Sequence, residues 1–226
     1  MSDLIDTTEM FLNAIFELNE QGRPATRAKI ADRLEQSAPS VSQTVARMER
    51  DGLLTLEQDR TITFSEIGGA LATSVMRKHR LAERLLLDVL EFPWADCHEE
   101  ACEWEHVISN LAEQAIRAKV SRIDQDPYGN PIPGADVPPE FAQRVPVDAV
   151  TPNGPGSFVL MTIGEQAQAR DGFLHEFWDA GLRIGDRIRI EATNGGFSLS
   201  ALKSGATMTI DRALAHDVFV RPFVEN

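Results

Sequence analysis

The sequence predicts an α+β protein made of three consecutive parts. Short helices and a hairpin occupy the first third of the 226 residues, longer amphipathic helices follow, and short alternating strands fill the last third. Eight of the twelve prolines lie between Pro127 and Pro155, a composition that marks a boundary. The expected divisions are 1–74, 75–140, a Pro/Gly-rich linker at 141–156, and 157–226.

The composition is that of an ordinary globular chain, with 42% hydrophobic and 25% charged residues. No apolar run is long enough to span a membrane, and the acidic first residues do not resemble an export signal. The two cysteines, Cys97 and Cys102, are too close in sequence to form a disulfide framework. We therefore expect a cytoplasmic protein with no membrane partner.

The first part has the element order of a winged helix-turn-helix domain, two short helices joined by a tight turn and followed by a hairpin. Ser37 is the expected N-cap of the third helix, and Asp51-Gly52 its end. Met10 lies on the flank of the apolar stripe of the first helix, where a methionine usually fills a core. The predicted elements are helices 3–20, 27–34 and 37–50, and strands 53–56 and 61–64.

The third helix has an apolar face for packing and a polar face that suits DNA. The net charge of −13 argues against a nucleic-acid partner, but residues 22–50 hold six basic and three acidic side chains. A glutamine amide can read an adenine edge, while serines and arginines can hold phosphates. An ordinary surface helix is the alternative, which the following hairpin makes less attractive. The expected DNA contacts are Arg27, Ser37, Pro39, Ser40, Ser42, Gln43, Arg47, Arg50 and Arg60.

The middle part concentrates metal-binding side chains in residues 98–106. If this segment is helical, four of them fall within a stripe about 100° wide. Imidazole, sulfur and carboxylate together favour a transition metal over calcium or magnesium. The two histidines would be about 12 Å apart along the axis, too far for one ion with bonds of ~2 Å, so two metal positions are expected. A polar face with a structural cysteine is the alternative. The stripe consists of His98, Cys102, Glu105 and His106.

Two long helices are expected in this part, one over 65–90 and a second from after Trp94 to about Val120. Their apolar faces suggest a dimerisation layer. His79 and Glu83, four residues apart, point the same way on the first of them. Such a pair is more often solvated than metal-bound. A metal-binding role for it is favoured only because the next helix carries the ligand stripe.

The last part predicts a small five-stranded barrel. A turn at Asn194-Gly195-Gly196 separates two of its strands. The segment from Glu165 to Trp178 is expected to be partly helical, with Glu165 and Gln168 on one face. The predicted strands are 158–161, 187–190, 197–199, 208–210 and 218–220.

Several stretches resemble the diphtheria toxin repressor family of iron-dependent repressors, in its three-domain actinobacterial form. The similarity is dense over residues 1–134 and thin beyond them. It implies a winged helix-turn-helix domain, a helical dimerisation and metal-binding domain, and a C-terminal SH3-like (FeoA-like) small β-barrel. The matching stretches are DTTEM (6–10), RLEQS (33–37), VSQTVARMERDGL (41–53), MRKHRLAERLL (76–86), WEHV (104–107) and GNPIPG (129–134).

The resemblance also implies two metal sites in each subunit. It replaces the core assignment of Met10 by a ligand role, and it places two ligands of the ancillary site in the third domain. The activating site would consist of Met10, Cys102, Glu105 and His106, and the ancillary site of His79, Glu83, His98, Glu165 and Gln168.

The implied function is a homodimeric repressor of iron-uptake and siderophore genes that is activated by ferrous iron, Fe(II), two ions per subunit. The implied partner is a double-stranded palindromic operator, which one or two dimers occupy. Sulfur ligands favour a softer ion, and Co(II), Ni(II), Zn(II) and Mn(II) are expected to substitute in vitro.

One departure from the family concerns an anion site beside the ancillary metal. Family members with that site use residues that match Arg80, position 126 and Asn130, and position 126 is a serine there. Here it is Asp126, whose charge would repel an anion, so we expect no anion site. A milder departure is Ser40, where the family has a threonine.

Three alternatives remain open. The first is a manganese-responsive regulator of the same family. The second is a thiol or metal hydrolase built on Cys102 and His106, although no nucleophile turn or oxyanion loop accompanies them. The third is a thiol redox sensor that uses Cys97 and Cys102.

Overall fold

The structure is a computed structural model that describes residues 2–150 and 156–223, with side chains from Thr7 onward. The chain divides into two compact units. None of the helices in these described ranges is long and apolar enough to cross a membrane. The first unit is Met1–His79 with Cys102–Glu113, and the second is Arg80–Ala101 with Gln114–Asn226.

The first unit begins with the predicted winged helix-turn-helix order. Local signals in the sequence set its boundaries, because the hydroxyls of Thr26 and Ser37 accept the backbone N–H groups of Lys29 and Ser40 at the starts of the second and third helices. The two strands pair antiparallel, with Thr55 opposite Thr63. The elements are α1 (Ser2–Glu20), α2 (Arg27–Arg33), α3 (Ala38–Arg50), β1 (Leu54–Leu56) and β2 (Ile62–Phe64).

An apolar cluster from all of these elements fixes the orientation of α3. Val41, Val45 and Met48 of this helix are buried in the cluster, as the predicted apolar face requires. The opposite face of α3 is therefore turned to the surface. The cluster also contains Phe11, Leu12, Ile15, Leu18, Ile30, Leu54 and Ile62.

The helical part differs from the prediction in one respect. The expected helix to about Val120 is two helices, α5 (Cys97–Trp104) and α6 (Asn110–Arg117), which follow the long α4 (Glu66–Asp88). A turn interrupts them because the Ser109 hydroxyl accepts the Ala112 N–H and caps a new helix start. The hydrophobic periodicity continues across this turn, so it did not reveal the interruption.

The second unit contains a six-stranded antiparallel sheet, one strand more than predicted. In the order β3-β8-β4-β5-β6-β7, the ends are β3 and β7, so no pairing among the described residues closes the sheet. The helices α7 and α8 lie between β4 and β5 along the chain. The elements are β3 (Val145–Pro146), β4 (Phe158–Ile163), α7 (Glu165–Gln168), α8 (Phe173–Asp179), β5 (Arg187–Ala192), β6 (Gly196–Ala201), β7 (Thr207–Asp211) and β8 (Val218–Pro222).

The extra strand lies in the stretch that was expected to be a linker. Val145 and Pro146 pair with Val220 and Phe219 of β8, and Val147 is fully buried. The linker prediction is therefore wrong for residues 145–147. Pro146 is compatible with a strand because β3 is at the edge of the sheet, where a missing N–H is tolerated. Residues 151–155 of the predicted linker lie outside the described residues.

Gly68 should be essential to the junction between the wing and α4. A Cβ built there would be 1.9 Å from the Leu53 carbonyl oxygen, which the Ser65 N–H holds in place. We expect Gly68→Ala to lower the free energy of unfolding by about 1–3 kcal/mol through overpacking. The matched control is Gly69→Ala, whose Cβ meets only the Phe64 Cβ at 3.6 Å and should be neutral or slightly stabilising. Urea denaturation of both variants measures this, and equal stabilities would contradict it.

Candidate metal centres

The turn after α5 places Glu105 at the centre of a polar cluster in the first unit. Its side chain is buried, with one carboxylate oxygen 2.7 Å from His79 Nδ1. The other oxygen accepts a hydrogen bond of 2.9 Å from Asn13 Nδ2 of α1. A buried carboxylate costs several kcal/mol unless polar or charged groups surround it, so these partners explain its position.

His106, the next residue, turns its imidazole to the same cluster. Its Nδ1 is 2.5 Å from the Glu9 carboxylate, and its Nε2 is 3.7 Å from Glu105 Oε1. Ligand bonds to transition metals are ~2 Å long, so one ion fits between that nitrogen and that oxygen. The residues present therefore fit a metal at this point.

The other two predicted activating ligands occupy exposed positions in the first unit. Cys102 is exposed on α5, and its sulfur is within 4.8 Å of a ring nitrogen of His79. Met10 is 42% exposed on α1, so it is not the core filler that its place on the helix first suggested. A thioether at the surface is open to a ligand role.

The ligand stripe is only partly a helix face. His98 and Cys102 lie on α5, but the helix ends at Trp104, and Glu105 and His106 belong to the turn that follows. The prediction that all four share one helical face is therefore wrong. Glu105 and His106 are consecutive residues of this turn, and each is held by contacts with other side chains.

Four of the five predicted ancillary ligands lie in the second unit, and two of them are in contact. Glu83 and His98 are both buried, with 3.1 Å between Glu83 Oε1 and His98 Nδ1. The fifth predicted ligand, His79, belongs to the first unit. Glu165 and Gln168 are buried at the two ends of α7.

A buried aspartate positions α7. The Asp217 carboxylate accepts the Ala167 N–H at 2.6 Å, and Gly164 leaves the room for it, because a Cβ there would be 2.5 Å from Asp217 Oδ1. Gln168 Nε2 donates to the Ile163 carbonyl, while its buried Oε1 has no hydrogen-bond partner among the described residues. A buried amide oxygen that accepts no hydrogen bond is free to bind a cation.

Arg80 and Asp126 define the surroundings of these ligands. Arg80 is completely buried and donates to Glu165 at 2.7 and 2.9 Å. Asp126 lies 3.8 Å from Arg80 and accepts the backbone N–H groups of Tyr128 and Asn130 and the Asn130 amide. Burial, followed by the nearby Glu83 charge, raises the pKa of Asp126 well above its usual value. An internal carboxylate thus occupies the cradle that those N–H donors form.

The predicted DNA contacts lie on α2, on α3 and its N-cap residue, and on the hairpin. Arg27, Ser42 and Arg47 are partly buried, and Arg47 donates to Thr8 Oγ1 at 3.2 Å. Arg60 has a left-handed backbone (φ 69°) beside the hairpin turn. The remaining ones are exposed, namely Ser37, Pro39, Ser40, Gln43, Arg50 and Arg60.

Sequence reasoning missed the groups that orient the ligands. Glu9 and Asn13 contact His106 and Glu105 across 97 and 92 residues of sequence. The available signal was their spacing of four residues around Met10, which places them on one side of α1. Asp217 had no such signal, because only the folded sheet brings it to α7.

Two family models match the chain and together cover more than half of it. "Iron dependent repressor, N-terminal DNA binding domain" matches residues 3–62, and "Iron dependent repressor, metal binding and dimerisation domain" matches residues 65–134. The diphtheria toxin repressor of Corynebacterium jeikeium is 43% identical over 97% of this chain and 98% of its own length. The iron-dependent repressor IdeR of Mycobacterium tuberculosis is 42% identical over 97% and 99%.

Solved structures agree with this fold. IdeR of T. acidophilum is 26% identical, with a TM-score of 0.72 over 95% of this chain and 97% of that one. The manganese regulator SloR is 25% identical, with a TM-score of 0.75 over 96% and 98%. A manganese-dependent transcriptional repressor in complex with manganese reaches a TM-score of 0.79 over 96% and 100%, but at 24% identity it shows the fold alone.

The two cysteines should differ sharply in reactivity. Cys97 is fully buried, which raises the pKa of its thiol to about 12, while Cys102 is exposed. Because the thiolate is the nucleophile, we expect a disulfide reagent at pH 8 to modify Cys102 at least tenfold faster than Cys97 in the metal-free folded protein. The measurement is the rate of thiol release in wild type, Cys97→Ser and Cys102→Ser. We expect the fast phase of thiol release to come from Cys102 and therefore to remain in Cys97→Ser. Its loss in Cys97→Ser would contradict this expectation and would favour the redox-sensor alternative.

Proposed function

The chain belongs to the iron-dependent repressor family, and from this premise we propose that ferrous iron activates its binding to operator DNA. The family is one of metal-dependent transcriptional repressors and not of enzymes. The hydrolase alternative is therefore wrong. The observation that carries the proposal is the pair of adjacent residues Glu105 and His106, whose ligand atoms stand 3.7 Å apart beside α1.

We propose that the activating site consists of Met10, Cys102, Glu105 and His106. Two features support the set. Glu105 and His106 present an oxygen and a nitrogen to the same point, and the Met10 and Cys102 side chains are exposed in the same unit. A bound divalent ion supplies positive charge and a fixed link between its ligands. Met10 would thereby tie α1 of the DNA-binding domain to the metal-binding segment.

We propose that the ancillary site consists of His79, Glu83, His98, Glu165 and Gln168. The buried carboxylates of Glu83 and Glu165 and the orphaned oxygen of Gln168 support the second-unit part of this set. His79 is included on the family resemblance. Its Nδ1 faces Glu105, so its Nε2 remains the atom for a ligand role. No exogenous anion is included, since the Asp126 carboxylate already fills the cradle beside Arg80.

Fe(II) is the proposed physiological ion, with two ions per subunit. Thioether and thiolate donors favour a softer ion than manganese, and the relatives at 43% and 42% identity carry the names diphtheria toxin repressor and iron-dependent repressor. Regulation by Mn(II) is the second candidate, favoured by the name of a structural relative at 25% identity, the manganese regulator SloR. Co(II), Ni(II) and Zn(II) should also activate in vitro, because the affinity order places them above iron.

The partners are operator DNA and a second copy of the chain, since the family combines a DNA-binding and a dimerisation domain. Val107 and Leu111 are 80% and 78% exposed, so these apolar side chains have surface to bury in a dimer. We propose a palindromic operator that one or two dimers occupy in the cytoplasm, with Gln43 of α3 at base edges and Arg50 and Arg60 at phosphates.

The switch would operate by linkage. Without metal, the DNA-competent conformation of a subunit is a minor state. If the metal ligands come together only in that conformation, the ion binds it more tightly and makes it the dominant state. To raise the population of the DNA-competent conformation from 1% to 99%, the ion must bind that conformation about 10⁴-fold more tightly than the other. Cys102, which is exposed in the first unit, is a candidate for a ligand of this kind.

Replacement of Cys102 tests the proposal. We expect Cys102→Ala to bind DNA at least a hundredfold more weakly than wild type in the presence of Fe(II), because one of four activating ligands is lost. The exposed side chain contributes little to packing, so the thermal midpoint without metal should not change. The DNA duplexes for this test are first selected from a random-sequence pool with the Co(II)-loaded wild-type protein. Fluorescence anisotropy under anaerobic conditions then measures how tightly each variant binds them.

The matched control is Cys97→Ser, which should keep Fe(II)-dependent binding, because Cys97 belongs to neither proposed site. Full Fe(II)-dependent DNA binding by Cys102→Ala would exclude the proposed activating site.

A further inference from the structure

The contact between α1 and the turn after α5 carries a further inference about His106. The Glu9 Oε2 atom lies 2.5 Å from His106 Nδ1, and both side chains are largely buried, with 16% and 19% of their surface exposed. A carboxylate can only accept a hydrogen bond, so the proton of the neutral imidazole sits on Nδ1. The lone pair is then on Nε2, the nitrogen that faces Glu105 Oε1.

Asn13 performs a parallel task for the neighbouring residue. It lies one helical turn after Glu9 on α1, and its Nδ2 donates to Glu105 Oε1. One side of α1 therefore holds both adjacent groups through side chains that are not themselves in the proposed ligand set. The charge of Glu9 sits behind His106, on the side away from Nε2.

We propose that Glu9 is a positioning residue for the activating metal, which selects the Nε2-binding tautomer of His106 and fixes the orientation of its ring. The inference deepens the proposed function and rests on His106 being a ligand. Metal-binding histidines commonly donate their second N–H to a carboxylate, and loss of such a partner typically costs about 10- to 100-fold in metal affinity. Because Glu9 precedes Met10, the same stretch of α1 would supply one ligand and orient another.

Two variants of Glu9 separate its geometry from its charge. In Glu9→Gln the side-chain oxygen can still accept the Nδ1 proton, so the tautomer should persist and the affinity for Co(II) should fall by a few-fold. In Glu9→Ala the partner is lost, and the affinity should fall about 10- to 100-fold. Glu20→Ala, a carboxylate at the end of the same helix, is the control and should bind Co(II) like wild type. Competition with a chromophoric chelator under anaerobic conditions measures all four affinities.

A measurement without metal tests the contact itself. The His106 signal in ¹⁵N-histidine NMR spectra is assigned as the one that is missing from His106→Gln. At pH 8, this signal should show the Nδ1–H tautomer in the wild-type and Glu9→Gln proteins. Glu9→Ala should shift it toward Nε2–H, the tautomer that neutral imidazole generally prefers in water. A wild-type Nε2–H tautomer, or equal Co(II) affinity of Glu9→Ala and wild type, would overturn the inference.

The two proposals can fail separately. If Cys102 and His106 do not bind metal, the sulfur-to-cobalt charge-transfer band will be absent from wild type and the proposed activating site fails, whatever the tautomer. If that band is present in wild type and the Glu9 variants leave both tautomer and affinity unchanged, only the role of Glu9 fails.

Discussion

The Glu105 carboxylate is the interaction on which the rest of the first unit's polar cluster depends. It is buried, and the groups around it come from three separate places in the chain, namely Asn13 on α1, His79 on α4 and the adjacent His106. A buried negative charge of this kind is tolerated only with such partners, and removing one partner typically costs a few kcal/mol. Glu105 also touches residues that belong to both proposed ligand sets.

Local signals in the sequence were sufficient for the winged helix-turn-helix. Ser37 caps α3 as expected, and Thr26 caps α2 in the same way. The apolar positions of α3 face the core because periodicity and burial agree there. The break between α5 and α6 was missed for a physical reason. Apolar spacing continues through the turn, and a single serine, Ser109, starts a new helix. The extra strand β3 was missed because two residues in a proline-rich stretch give no periodicity of their own.

Some residues of the candidate sites could also be predicted from the sequence, and others could not. Residue types and short spacing pointed to His98, Cys102 and His106, and family resemblance added Met10 and the residues of the third part. The groups that orient them lie beyond the reach of spacing, since Glu9 meets His106 and Asp217 meets Ala167 only after the chain has folded. Asp126 is intermediate, because its charge was visible in the sequence, but its cradle of N–H donors was not.

The most direct test of the central claim is an anaerobic titration of DNA binding with Fe(II) and Mn(II) at matched free concentrations. If sulfur donors from Met10 and Cys102 set the metal preference, Fe(II) should reach half-maximal DNA binding at a free concentration at least tenfold below that of Mn(II). Met10→Asp replaces the thioether by oxygen donors. In this variant the ratio of the half-maximal Mn(II) concentration to the half-maximal Fe(II) concentration should be smaller than in wild type. Equal activation of wild type by the two ions, or a ratio that Met10→Asp leaves unchanged, would contradict the account.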